Sequence, residues 1–151
     1  MTEMSIFLHF IFSFLNTVGF SVFLNVPTKN LFHCGLIGAI GWTVYYALKT
    51  TISNSIFSNF IASLAVAILS ELFARKLKKP AILFIIPGII PLVPGLGMYN
   101  TMLNFVQGHY NLAISTGTDT ILTSGAIALG LLVTTSTLKT INTLNKNNIK
   151  K

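Results

Sequence analysis

The sequence predicts an all-α membrane protein with five transmembrane helices, the fourth broken by proline and glycine near the bilayer midplane. Three observations carry this reading. Only 9% of the 151 residues are charged and 52% are apolar, with a mean hydropathy of +0.74, whereas soluble domains are about a quarter charged. The charges leave uncharged intervals at 4–28, 30–48, 50–70, 80–118 and 120–138, and roughly 20 helical residues cross a hydrocarbon core of about 30 Å. Finally, three of the five prolines and three of the 11 glycines crowd into Pro87–Gly97, where a continuous helix is hard to sustain.

Residues 1–151 form a single membrane domain with spans at about 4–26, 31–48, 52–73, 81–104 and 120–138. The first lacks a basic leader and a small-x-small cleavage site after Phe23, so it reads as a retained anchor rather than a signal peptide. In the second, Gly35, Gly38 and Gly41 precede Trp42, Tyr45 and Tyr46. Small residues let helices approach closely, and aromatics anchor at the membrane boundary, which predicts a packing seam topped by an outer aromatic belt. The third ends with Glu71 four residues before Arg75, the spacing of a helical ion pair. After the fourth, Gln107, Gly108, His109, Asn111 and Gly117 make Phe105–Thr118 read as a loop or interfacial turn. Thr116, Thr120, Thr123, Gly130, Thr134 and Thr137 fall on one stripe, thinned by Ser124, Gly125, Ala126 and Ala128. That stripe reads either as the hydroxyl wall of a pathway or as a packing seam centred on Gly125 and Gly130. Asp119 is placed either to cap the last helix or to couple transport to a proton.

Five spans put Lys29, the cluster Arg75, Lys76, Lys78 and Lys79, and the tail residues Lys139, Lys146, Lys150 and Lys151 on one side, with Lys49 alone opposite. The positive-inside rule then places the amino terminus outside and the basic 139–151 tail in the cytoplasm. The net charge of +7 serves topology and anionic lipid rather than nucleic acid. His9, His33 and His109 show no metal-ligand spacing, and lone Cys34 reads as a small core residue. No nucleophile–base set is visible. Neither an enzyme, a metal site nor a cofactor is expected.

The broken span is the candidate site. As a helix, Pro87, Pro91 and Pro94 would leave the carbonyls of Leu83, Pro87 and Ile90 without donors, at about 3 kcal/mol or more per proline. In lipid such backbone persists only when buried in protein or lining a wet cavity. At helical rise from Ala81, Pro87 lies roughly 9 Å and Pro94 roughly 20 Å deep, so the break brackets the midplane. Transporters hold small charged solutes between such half-helices. The predicted binding set is Pro87, Gly88, Pro91, Pro94, Gly95, Gly97, Tyr99, Asn100 and Asn104. The start of the second half-helix would receive a carboxylate and the freed carbonyls around Leu83–Ile90 an ammonium. Asn100, Asn104 and Gln107 fall on one helical face and would read a hydroxyl. A Pro-kinked packing helix with amides bonded to its neighbours is the alternative.

The run Cys34-Gly35-Leu36-Ile37-Gly38-Ala39-Ile40-Gly41-Trp42, the stretch Ser70-Glu71-Leu72-Phe73-Ala74-Arg75 before a basic loop, and Pro87–Tyr99 together resemble the threonine/serine exporter family. The likeness covers about residues 10–140 and matches the short five-span type, equivalent to the carboxyl-terminal half of longer fused exporters. It implies a subunit in a bacterial inner membrane, paired with a larger companion of the same family. It also implies efflux of threonine and serine, or of dicarboxylates such as succinate. A homo-oligomer is the other expected assembly, and a non-transporting subunit that stabilises a companion is the rival role.

Overall fold

The computed structural model describes residues 6–52 and 54–148, with side chains to Thr140. Among these residues every regular element is helical: α1 (Ile6–Phe23), α2 (Thr28–Ile52), α3 (Ser55–Leu77), α4 (Ile82–Ile89), a 3-10 turn (Ile90–Leu92), α5 (Gly95–Val106) and α6 (Tyr110–Asn148).

Helix α1 buries Ser13, Thr17 and Ser21 while Phe7, Phe12, Leu15 and Phe23 point outward, Phe23 at 80% exposure. Water would reverse this arrangement. Lipid does not, because an apolar outer face costs nothing there and small residues let helices touch. Each inward hydroxyl is bonded: Ser13 Oγ donates to the Gly38 carbonyl at 3.1 Å, Thr17 Oγ1 to Ser13 at 2.8 Å and Ser21 Oγ to Thr17 at 2.7 Å. Facing them, Gly35 lies against Phe14 and Val18, and Gly38 against Thr17. Asn25, at φ 56°, takes the left-handed conformation that ends α1, and Pro27 leads into α2.

Asn54 caps α3, its Oδ1 accepting from Phe57 N–H at 3.1 Å. At the other end Lys78 adopts φ 54°, and Arg75 Nε meets Glu71 Oε1 at 3.2 Å. The core is small, built from Cys34, Ile37, Val66, Phe84, Leu92 and Ile127. Gly41 admits Val66, and Gly88 admits Ile37, so α2, α3 and α4 close on one another at glycines.

Four helices are long and apolar enough to cross a membrane: α1, α2, α3 and Tyr110–Thr140 of α6. The segments Ile82–Leu92 and Gly95–Val106 pass that test as a pair bent by 50°, which makes the number four, or five if the pair is one span. This is a multi-pass membrane protein. Leu92 sits beside the contact of Gly41 with Val66, so the bend lies level with the middles of α2 and α3. Val93 is extended (φ −61°, ψ 127°), and Pro94 (φ −77°, ψ 58°) precedes α5.

The sequence reading of Phe105–Thr118 as a loop is corrected. The connection is only Gln107–His109, with Gly108 at φ 78°, and α6 starts at Tyr110. The hydroxyls that made the stretch look wet bond within their own helix, Thr116 Oγ1 to the Leu112 carbonyl and Thr118 Oγ1 to Ile114, both at 2.8 Å. Asp119 therefore lies inside α6, nine residues past its start, and caps nothing.

Candidate functional site

Helix α6 serves two neighbours. Gly130 presses on Ser63 and the Phe60 carbonyl of α3, whereas Thr120 packs against Gly97 of α5, and Thr101 Oγ1 lies 3.3 Å from Thr116 Oγ1. Helix α5 is bent from α4 by 50° and packs chiefly on α6, so it stands off the α2–α3 pair while α6 stays packed on α3. The space between them is a cavity of about 710 Å³. Trp42, Tyr45 and Lys49 line it from α2, and Asn54 and Asn59 line it from the start of α3. Pro91, Pro94, Gly95, Gly97 and Asn100 come from the broken segment, and Thr116, Asp119, Thr120 and Thr123 from α6.

The cavity holds one cation and one carboxylate among its described lining residues. Lys49 Nζ rests 5.5 Å from the Tyr45 ring centroid, an attraction that steadies an ammonium while leaving its donors free. Thr120 Oγ1 is bonded back to Thr116 O at 2.6 Å, and Asn59 Nδ2 to Ser55 O at 2.9 Å, so each offers its remaining capacity inward. At the head of α5, Gly95 N–H bonds Val93 O at 2.8 Å and Met98 N–H bonds Pro94 O at 3.2 Å. Leu96 and Gly97 N–H have no backbone acceptor among the described residues, as the first donors of a helix do not. Both residues border the cavity.

The expected binding set divides. Pro91, Pro94, Gly95, Gly97 and Asn100 border the cavity, as does Asp119. Pro87 and Gly88 do not; they are buried in the packing of α4. The carbonyls assigned to an ammonium are already engaged. Cys34 Sγ donates to Leu83 O at 3.7 Å, Ile90 N–H to Pro87 O and Val93 N–H to Ile90 O at 3.2 Å. Tyr99 is 62% exposed, and neither it nor Asn104 reaches the cavity, so the three-amide face resolves to Asn100 alone. Of the packing glycines, Gly35, Gly38, Gly41 and Gly130 lie at helix contacts, whereas Gly125 meets nothing within 4 Å. Of the threonine stripe, Thr116, Thr120 and Thr123 border the cavity, whereas Gly130 packs on α3. Trp42 and Tyr45, from the aromatic group that ends the glycine run, border the cavity.

Sequence reasoning missed Lys49, Asn54 and Asn59. The signals were present: Lys49 is the one basic residue opposite nine, and Asn54 stands three residues before Phe57 as a helix cap does.

A family model described as "Threonine/Serine exporter, ThrE" matches residues 9–137. The chain belongs to the threonine/serine exporter family, a family of transporters. It is similar to an uncharacterized protein of Haemophilus influenzae, 31% identical over 130 aligned residues that cover 80% of this chain and 43% of the relative. The chain thus spans under half the length of that curated relative. No solved structure matches.

Proposed function

We propose that this chain is a subunit of an exporter of small hydroxylated amino acids, threonine and serine foremost, and that the cavity between α2, α3, α5 and α6 holds the substrate. The observation that carries this is that Lys49 and Asp119 both border the cavity, among amides and hydroxyls. A zwitterion needs one charge of each sign. Its carboxylate would meet Lys49 and the unpaired N–H groups of Leu96 and Gly97, its ammonium Asp119, and its hydroxyl the Thr116–Thr120–Thr123 row. Succinate fits this set worse, because its second carboxylate would find Asp119 rather than another cation.

In this reading the bent pair α4–α5 crosses as a single span, giving five, with the bend near the midplane. The amino terminus faces out and the carboxyl terminus the cytoplasm of a bacterial inner membrane. Asp119, exposed to the cavity, is also the group able to carry a coupling proton. A larger companion of the same family, or a second copy, closes the open side of the cavity. Helix α5 supports this, because it borders the cavity yet has no buried residue of its own. The same surface favours the second reading, a subunit that only stabilises its companion.

Release of threonine, serine and succinate, measured together from cells lacking the chain, tests the proposal. It predicts loss of threonine and serine efflux at unchanged companion abundance, with succinate release intact. Efflux lost only because the companion disappears would establish the stabilising role instead.

A further inference from the structure

A second cavity, of about 270 Å³, lies on the α1 side of the bend and is bordered by His9, Phe12, Ser13, Asn16, Trp42 and Pro91. It shares Trp42 and Pro91 with the larger cavity and no other residue. One indole and one pyrrolidine ring therefore border both spaces.

These two rings differ in freedom. Pro91 is fixed by its ring closure and by the 3-10 turn it belongs to. Trp42 turns about two side-chain torsions. Its position rests on one directional bond, Nε1–H donating to His9 Nδ1 at 3.3 Å, and His9 is itself stacked on Tyr46 with centroids 4.1 Å apart. His9 thus supplies the directional restraint on an indole that otherwise meets the Tyr45 ring, centroids 5.2 Å apart.

Three polar side chains border the smaller cavity beside the apolar Phe12, Trp42 and Pro91. His9, Ser13 and Asn16 recur at i, i+4 and i+7 on one face of α1. Ser13 Oγ is engaged with Gly38 O, but the Asn16 amide is exposed and has no side-chain partner among the described residues. An unpartnered amide midway along a span is costly unless water or a polar solute reaches it. Gly38, opposite Ser13, lies one turn of α2 from Trp42 on the side of Thr28. The second cavity thus carries the route about 6 Å further toward that end.

From this geometry we infer that the second cavity is a further binding compartment for the same small polar solute, and that Trp42, latched by His9, is the gate between the two. The inference rests on the transport reading for its solute, but the gate itself is testable without it.

The test places a cysteine at Asn16 or, separately, at Asn100 of the full chain in intact cells. The labelling rate by charged sulfonatoethyl methanethiosulfonate, which enters only water-filled space, is then measured. Chain with Cys34 alone supplies the background. Trp42→Phe and His9→Phe each keep a ring but lose the bond. Each is expected to raise labelling at position 16 about fivefold, the population shift one neutral hydrogen bond commands, and to leave position 100 unchanged. The double variant adds nothing further, and His9→Asn, which retains an acceptor near Nδ1, keeps the parental rate. Labelling at 16 that is absent or unchanged in both phenylalanine variants overturns the gate, and so does a rise at 16 and 100 alike. Threonine protection of position 100 reports on the transport reading alone, so the two failures are distinguishable.

Discussion

Gly38 and Gly125 look alike in sequence, each in an apolar helix beside other small residues, but space treats them differently. A Cβ at Gly38 would collide with the Thr17 side chain, which is fully buried and already bonded to Ser13 O. A Cβ at Gly125 meets nothing. Gly38→Ala should therefore destabilise the protein by about 1–3 kcal/mol, the usual cost of overpacking. Gly125→Ala should be neutral or slightly stabilising, as alanine is in a helix interior. Thermal unfolding of both variants in detergent checks this, and equal loss in the two would refute the α1–α2 contact. Residue-level chemistry was partly legible before any coordinates. Proline and glycine marked the bend, and the lone Lys49 marked the sparsely charged side. The lining of the cavity by Lys49, Asn54 and Asn59 was not legible, because it depends on how α5 bends from α4, a tertiary arrangement that no local spacing encodes.

At the scale of elements, the bend does less on its α4 side and more on its α5 side than proline counting suggests. Pro87 costs its helix one donor, but Cys34 supplies a replacement at Leu83 O, so that half is an ordinary packed helix. The other half begins after extended Val93 and keeps two N–H groups open to the cavity. Gly95 has nothing within 4 Å of its Cβ position and borders the cavity, so Gly95→Leu is expected to fold and to fill the binding space. Export should fall at least about tenfold, a barrier of roughly 1.4 kcal/mol or more, with unchanged membrane abundance. Pro91→Leu should behave the same way, since Pro91 borders both cavities. Transport assays paired with quantitative immunoblots decide this, and normal export in both variants would remove the bend from the pathway. The helical character of the chain was legible because charges punctuate it, and four helices, or five if the bent pair is one span, are long and apolar enough to cross a membrane. The length of α6 was misjudged because threonines and serines look like loop residues in sequence, yet bond to carbonyls one turn back once helical.

At the scale of the molecule, basic residues gather at one end, at Lys29, Arg75–Lys79 and Lys139, and the large cavity lies at the opposite end, by the α2–α3 connection; the proposed orientation makes the basic end the inner one. If α4 and α5 cross as one bent span, a cysteine at His109 labels from outside intact cells while one at Lys78 labels only after the membrane is opened. A re-entrant pair would put both on the same side. The cavity's two charges carry the transport claim, so the most direct measurement is threonine, serine and succinate efflux from cells carrying Lys49→Met or Asp119→Asn at parental abundance. The account predicts that each substitution lowers threonine and serine efflux at least about tenfold and leaves succinate release unaffected. Undiminished threonine and serine efflux from both variants would contradict it.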